Sequence, residues 1–181
     1  MRIIGLDPGL TSPAIAARPG HEIVTVVIDT KKLRGMERIK HIIDEVVNID
    51  YPPSLIPEFI ANPPDKIIME GYAYGRIHQM AALGELCGII KWEATNREIE
   101  VIIIPPTSLK KFATGKGNAN KESMRDAANK ERQKDGLPWL KTHDEADAYW
   151  LLRIGEEIEN ESLGLPKYRQ EVLKQVREAN S

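Results

Sequence analysis

Residues 2–29, RIIGLDPGLTSPAIAARPGHEIVTVVID, decide the fold. RIIGL reads as a buried strand that runs into Asp7 and stops at the turn formers Pro8 and Gly9. AIAAR and EIVTVVID read as two further strands, with Pro19-Gly20 as the turn between them, so the chain opens on a three-stranded antiparallel meander. Working outward, Met36, Ile39, Ile43, Val46 and Val47 recur at helical spacing within 34–49. In the stretch DYPPSLIPEFIANPPD (50–65), Pro52, Pro53 and Pro57 end that helix and leave room for one short helical turn. KIIMEG (66–71) is a short buried strand ending in an acid, 76–97 carries a long helical pattern, and EVIII (100–104) is another buried strand. A polar helix over 120–133 with Asn120 as its N-cap, a helix from Thr142, and one more helix in the charged tail complete the reading. Strands interleaved with helices imply an α/β layer fold, with parallel neighbours and right-handed crossovers in the second half.

The chain has 181 residues, the size of one domain with a real core. Its net charge of -2 gives no overall attraction to nucleic acid, so a DNA-binding role needs a local basic patch. The single Cys87 excludes an intrachain disulfide and a cysteine-rich zinc site, and its apolar surroundings ALGELCGIIKW predict a buried thiol. No apolar run approaches the ~20 residues of a membrane span. The start MRIIGLDPG enters a strand pattern directly, without a signal peptide, so the expected location is intracellular and cytoplasmic.

The acids carry the chemistry. Asp7 and Glu70 each stand at the carboxyl end of a predicted strand, where α/β sheets build their sites. In KTHDEADAYWLL (141–152), Thr142 and Glu145 fit a capping box, which accounts for Glu145. Asp144 and Asp147 are three apart on one helix face and repel unless a positive charge lies between them. Singly, each acid has a plainer reading, as a turn residue, a lysine partner or ordinary helix-start acidity. Together they are four carboxylates on three elements, an oxygen-rich set suited to Mg²⁺ or Mn²⁺. Two such ions ~3.5–4 Å apart are the machinery of phosphodiester hydrolysis.

The blocks IIGLDPG, IIMEGYAYG, TSLKKFATGKGNANK and DEADAYWLL, in this order and spacing, resemble RuvC, the Holliday junction resolvase family of the RNase H-like superfamily. The likeness is to its shorter, phage-type members and spans 1–155, with 156–181 left as a charged, helical extension. It implies a mixed five-stranded sheet flanked by helices on both faces. It implies paired symmetric nicking of four-way DNA junctions by a homodimer, with Mg²⁺ as cofactor, Mn²⁺ as a substitute, and two ions in each active site. By the same resemblance Asp7, Glu70, Asp144 and Asp147 are the catalytic, metal-holding acids, and Lys110 and Lys121 are basic residues at the scissile phosphate. His143 is a candidate for supporting that site.

Lys110, Lys111, Lys116, Lys121 and Arg125 lie in a segment where cations outnumber acids, a candidate phosphate footprint. Its TGKGNANK supplies glycines and a helix start whose N–H groups suit phosphate oxygens. Tyr72, Tyr74 and Arg76 follow Glu70 and are candidates for stacking on bases at a junction centre. Trp92, Trp139 and Trp150 are assigned to core or dimer packing, and the apolar residues of the 76–97 helix, among them Met80, Leu83, Leu86 and Ile90, to the dimer interface. Three alternatives remain open: a nuclease of the same fold for other branched DNA or structured RNA; an actin-like phosphotransferase, since GLDPGLTS also resembles a phosphate loop; and a non-catalytic DNA-binding module, against which the intact set of acids argues. The second requires two domains and further glycine-rich loops, which this chain lacks.

Overall fold

The computed structural model describes residues 1–47, 63–71, 77–160 and 164–180. The expected break and helical turn within 50–62, and the candidates Tyr72, Tyr74 and Arg76, lie outside the described residues. The elements are β1 (Ile3–Asp7), β2 (Ala14–Ala17), β3 (Val24–Val27), α1 (Gly35–Val47), β4 (Lys66–Glu70), α2 (Ile77–Asn96), β5 (Glu100–Ile104), α3 (Pro106–Thr114), α4 (Lys121–Lys134), α5 (His143–Asn160) and α6 (Lys167–Asn180). The strands form one five-stranded sheet in the order β3-β2-β1-β4-β5. β1, β2 and β3 pair antiparallel as the opening sequence predicts, while β1–β4 and β4–β5 pair parallel.

Side chains alternate across a strand, and this parity sorts the two cores. Ile4, Leu6, Ile67 and Met69 face α1 and α2, packing with Ile39, Ile42, Ile43, Leu86, Cys87 and Ile90. Ile3, Ile68, Ile102 and Ile104 face the other way, onto α3, α4, α5 and α6. The same parity puts Asp7 with Ile3, and Glu70 with Ile68, on the α5 face. The register brings the two acids side by side, one step beyond the Leu6–Met69 pair.

Helix α5 crosses that face at close range. A Cβ at Gly5 would lie 2.2 Å from the carbonyl oxygen of Ala148 and 2.3 Å from the backbone nitrogen of Leu152. One at Gly155 would lie 2.6 Å from Ile68 and 2.7 Å from Ile3. Glycine at these points lets the helix lie on the sheet. Gly5→Ala therefore meets backbone rather than a movable side chain. Its expected cost is about 3 kcal/mol, read as a lower urea midpoint at unchanged slope. A midpoint within error of the parent would show that α5 does not rest on Gly5.

The sequence reading misses α3, having left 105–119 without a helix. Its signals are local: Pro106 occupies the first turn, and Gly115 ends the helix in the left-handed region at φ 82°. Leu109, Phe112 and Ala113 are its buried stripe. Glycines in TGKGNANK suggested a loop, and one of them is instead a helix terminator. The tail also packs back. Arg169 of α6 is buried, donating from Nε to the Phe112 carbonyl at 3.1 Å and from Nη2 to Glu131 Oε2 at 2.7 Å. Its guanidinium lies 4.8 Å and 5.0 Å from the ring centroids of Phe112 and Trp150. One side chain thus ties α6 to α3, α4 and α5. Arg169→Ala leaves the Glu131 charge without this partner, and the expected destabilisation is about 3 kcal/mol. An unchanged thermal melt would count against this tie.

The three tryptophans divide between core and surface. Trp150 is fully buried, its Nε1 donating to the Met124 carbonyl at 3.1 Å. Trp92 and Trp139, by contrast, are exposed. Trp139 is no core residue because its neighbour Leu140 takes the buried position in that loop. Trp92 points outward because Leu86, Cys87, Ile90 and Ala94 already fill the inner face of α2, so Leu86 and Ile90, expected at a dimer interface, belong instead to the core of the chain itself.

Candidate active site

Asp7 ends β1 and Glu70 ends β4, both part-buried. Asp144 lies in the first turn of α5, with Asp147 one turn on. The start of α5 is fixed by the expected capping box: Thr142 Oγ1 accepts from the Glu145 backbone N–H at 3.1 Å, and Glu145 Oε2 accepts from the Thr142 backbone N–H at 2.7 Å. Glu145 Oε2 also accepts from the Lys141 backbone N–H at 2.9 Å. Glu145 is thereby committed to the cap, and its two neighbours are left for the sheet edge. Asn120 caps α4 as expected, its Oδ1 accepting from Ser123 N–H at 2.8 Å. That cap sets Lys121 as the first helical residue.

The charges of these groups are coupled. Burial pushes the Asp7 carboxyl well above its ordinary range, reinforced by Glu70, Asp147 and Asp144 and opposed by Lys121. Burial, with Asp147, pushes Glu70 up to about 7, against Lys121 and Lys110. Asp147 is pushed up to about 6 by burial and by Asp144, against Lys121, His143 and Lys110. Acids from three elements therefore share one region of space, with Lys110 and Lys121 as nearby cations. Lys121 Nζ stands 3.7 Å from Asp144 Oδ1 and 3.9 Å from Asp147 Oδ2. Ser12, in the loop after β1, donates to Asp144 Oδ2 at 2.9 Å. Sequence reasoning missed Ser12, since nothing local links it to a residue 132 positions away.

Among the described residues, no three His, Cys, Asp or Glu side chains close on a single point as ready-made metal ligands. Lys121 pairs with Asp144 and Asp147, and Ser12 hydrogen-bonds Asp144. The donor set nonetheless suits a hard divalent cation. It is all carboxylate oxygen, and burial first, with mutual repulsion added, raises three proton affinities at once.

The other candidates spread outward. Lys111 Nζ pairs with Glu171 Oε2 of α6 at 2.8 Å. Lys116 is exposed in the loop between α3 and α4. Thr114 Oγ1 braces that loop, donating to the Lys110 carbonyl at 2.8 Å and accepting from Lys116 N–H at 3.2 Å. Arg125, one turn beyond Lys121, reaches the Lys141 carbonyl at 3.4 Å. His143 lies near Asp147, and its buried Nδ1 has no hydrogen-bond partner.

A mixed five-stranded sheet with acids at the ends of two adjacent parallel strands, faced by two more on a crossing helix, defines an RNase H-like fold with an acidic centre. The Thermus thermophilus RuvC structure solved in complex with Holliday junction substrate superposes with a TM-score of 0.65 at 20% identity, covering 84% of this chain and 90% of that one. The crossover junction endodeoxyribonuclease RuvC of Salinibacter ruber is 30% identical over 131 residues, 68% of each chain. That of Ralstonia nicotianae is 29% identical over 159 residues, 82% of this chain and 79% of its own. No protein-family model matches the sequence. The chain belongs to the RuvC family of crossover junction endodeoxyribonucleases.

Proposed function

We propose that this protein is a Mg²⁺-dependent endodeoxyribonuclease that resolves four-way DNA junctions by paired symmetric nicks, acting as a homodimer. The observation that carries the reading is the coupling of Asp7, Glu70 and Asp147, drawn from β1, β4 and α5 and opposed by Lys110 and Lys121. In this reading Asp7, Glu70, Asp144 and Asp147 hold two metal ions. Bound metal supplies an activated water and charge stabilisation at the leaving 3′ oxygen. Lys110 and Lys121 offset charge that builds on the scissile phosphate, where donors are worth most. Lys116 and Arg125 extend the cationic side, and Tyr72, Tyr74 and Arg76 are retained as base-contact candidates. Lys111 engages DNA only by leaving Glu171.

The test uses labelled four-way, three-way, flap and linear duplex DNA with Mg²⁺ or EDTA. Symmetric paired nicks on the four-way substrate, dependent on metal, are the expected result. Equal cutting of linear duplex, or cutting in EDTA, would sink it. A preference for flaps or structured RNA would move the substrate and leave the chemistry.

The homodimer reading draws support from the outer face of α2. Ala81, Glu85, Gly88, Lys91 and Trp92 are exposed there, and a Cβ at Gly84 or Gly88 would meet nothing within 4 Å. Such a face suits close approach by a second copy across a two-fold axis. Gly88→Leu has free space within its own fold and a better helix former at that site. The expected result is a monomer by light scattering and loss of paired, but not single, nicks. A persistent dimer with paired nicking would remove α2 from the interface.

A further inference from the structure

Trp139 is 67% exposed, beside a leucine that is 5% exposed. The loop that carries it is bolted along α4 by successive rungs. Arg132 Nε donates to the Pro138 carbonyl at 2.8 Å. Asn129, itself buried, accepts from Leu140 N–H at 2.7 Å and donates to the Leu140 carbonyl at 3.4 Å. Arg125 reaches the Lys141 carbonyl at 3.4 Å. Positions 132, 129 and 125 therefore hold 138, 140 and 141 in turn. The loop runs back along α4 towards Lys121, and Trp139 stands at the level of 129–132. At a helical rise of 1.5 Å per residue that is roughly 12–16 Å along α4 from Lys121. Cations outnumber acids over 125–141: Arg125, Lys130, Arg132, Lys134 and Lys141 against Asp126, Glu131 and Asp135.

We propose that Trp139, held out by this bolted loop and flanked by Arg125 and Lys141, is a second contact for a duplex DNA arm, set apart from the acidic centre. The proposal rests on the reading of the protein as a branched-DNA nuclease and adds a surface to it. The indole lies against deoxyribose in the arm, and the cations take the adjoining phosphates. Duplex DNA advances ~3.4 Å per base pair, so the contact falls about four to five pairs from the nick. It fixes how far the arm is laid along α4 before the scissile phosphate reaches Lys121.

Hydroxyl-radical footprinting of a four-way junction, which reads deoxyribose exposure, tests this in an Asp7→Asn background to prevent cutting. Trp139→Ala is expected to weaken junction binding about tenfold, the loss of one partly buried aromatic side chain. Sugars four to five pairs from the nick lose protection while those at the nick keep it. Trp139→Phe retains both. Unchanged affinity and footprint in Trp139→Ala would overturn the proposal. So would a loss of binding that light scattering traces to a lost dimer. A native protein that neither binds nor cuts any branched DNA overturns the functional reading and this surface with it, whereas cutting with an indifferent Trp139 removes the surface alone.

Discussion

Asp7→Asn is expected to abolish metal-dependent cleavage and, in metal-free buffer at pH 8, to raise the melting temperature. The two effects have one cause. Asp7, Glu70 and Asp147 hold protons more tightly in the folded chain than as free carboxyls, through burial and mutual repulsion. Between the unfolded carboxyl range near 4 and the folded values of about 6 for Asp147 and about 7 for Glu70, the folded state binds more protons. Stability from these groups is thus complete below the unfolded range and is lost as pH rises through the folded values. At pH 8 Glu70 and Asp147 are charged in the native chain, and asparagine at position 7 removes a share of the burial and repulsion that act on this group. A gain of at least about 1 kcal/mol, or ~2–4 °C at this chain length, is expected. The gain shrinks towards pH 4, where protonation does the same work. Added Mg²⁺ should raise the native melting temperature at pH 8 and raise that of Asp7→Asn much less. A variant that is less stable than the parent at pH 8, or one that still cuts, contradicts the assignment. Glu145→Gln serves as a control: its carboxylate caps α5, so substantial cleavage is retained.

Lys121→Ala is expected to slow the single-turnover rate at saturating enzyme by ~10²–10³, the usual loss for one preorganised donor at a developing oxyanion. Lys121 Nζ is held near Asp144 and Asp147, and Lys110 bears on Glu70 and Asp147. Both cations therefore stand where a phosphate drawn to the acids would meet them. Lys134 is the comparison. It is exposed at the far end of α4, and its loss should weaken binding to all DNA and reduce the salt slope by up to about one. The rate at saturation should survive in Lys134→Ala. Full rescue of Lys121→Ala by excess enzyme would make Lys121 a binding residue only.

Much of the architecture is legible in the chain because its signals are local. RIIGLDPG and KIIMEG are short apolar strands ended by an acid, and period-two alternation fixes which face Asp7 and Glu70 share once α5 is known to lie there. The box of Thr142 and Glu145 is written within four residues, and so is the Asn120 cap. The meander at the start is set by Pro19-Gly20 and alternating strands, which is why the sheet follows the reading closely.

Tertiary structure alone decided the rest. Gly5 looks like a weak point in a strand until α5 is seen resting on its missing Cβ, a contact between residues far apart in sequence. Ser12 and Lys121 meet Asp144 for the same reason, since packing of the helix on the sheet brings them there. Helix α3 was hidden because its glycine terminator looked like part of a loop. Trp139 was hidden because an apolar neighbourhood in sequence does not say which of two adjacent residues is buried. In an irregular loop there is no period to decide between Trp139 and Leu140, and only the rungs from Arg132, Asn129 and Arg125 turn one inward and leave the other to solvent.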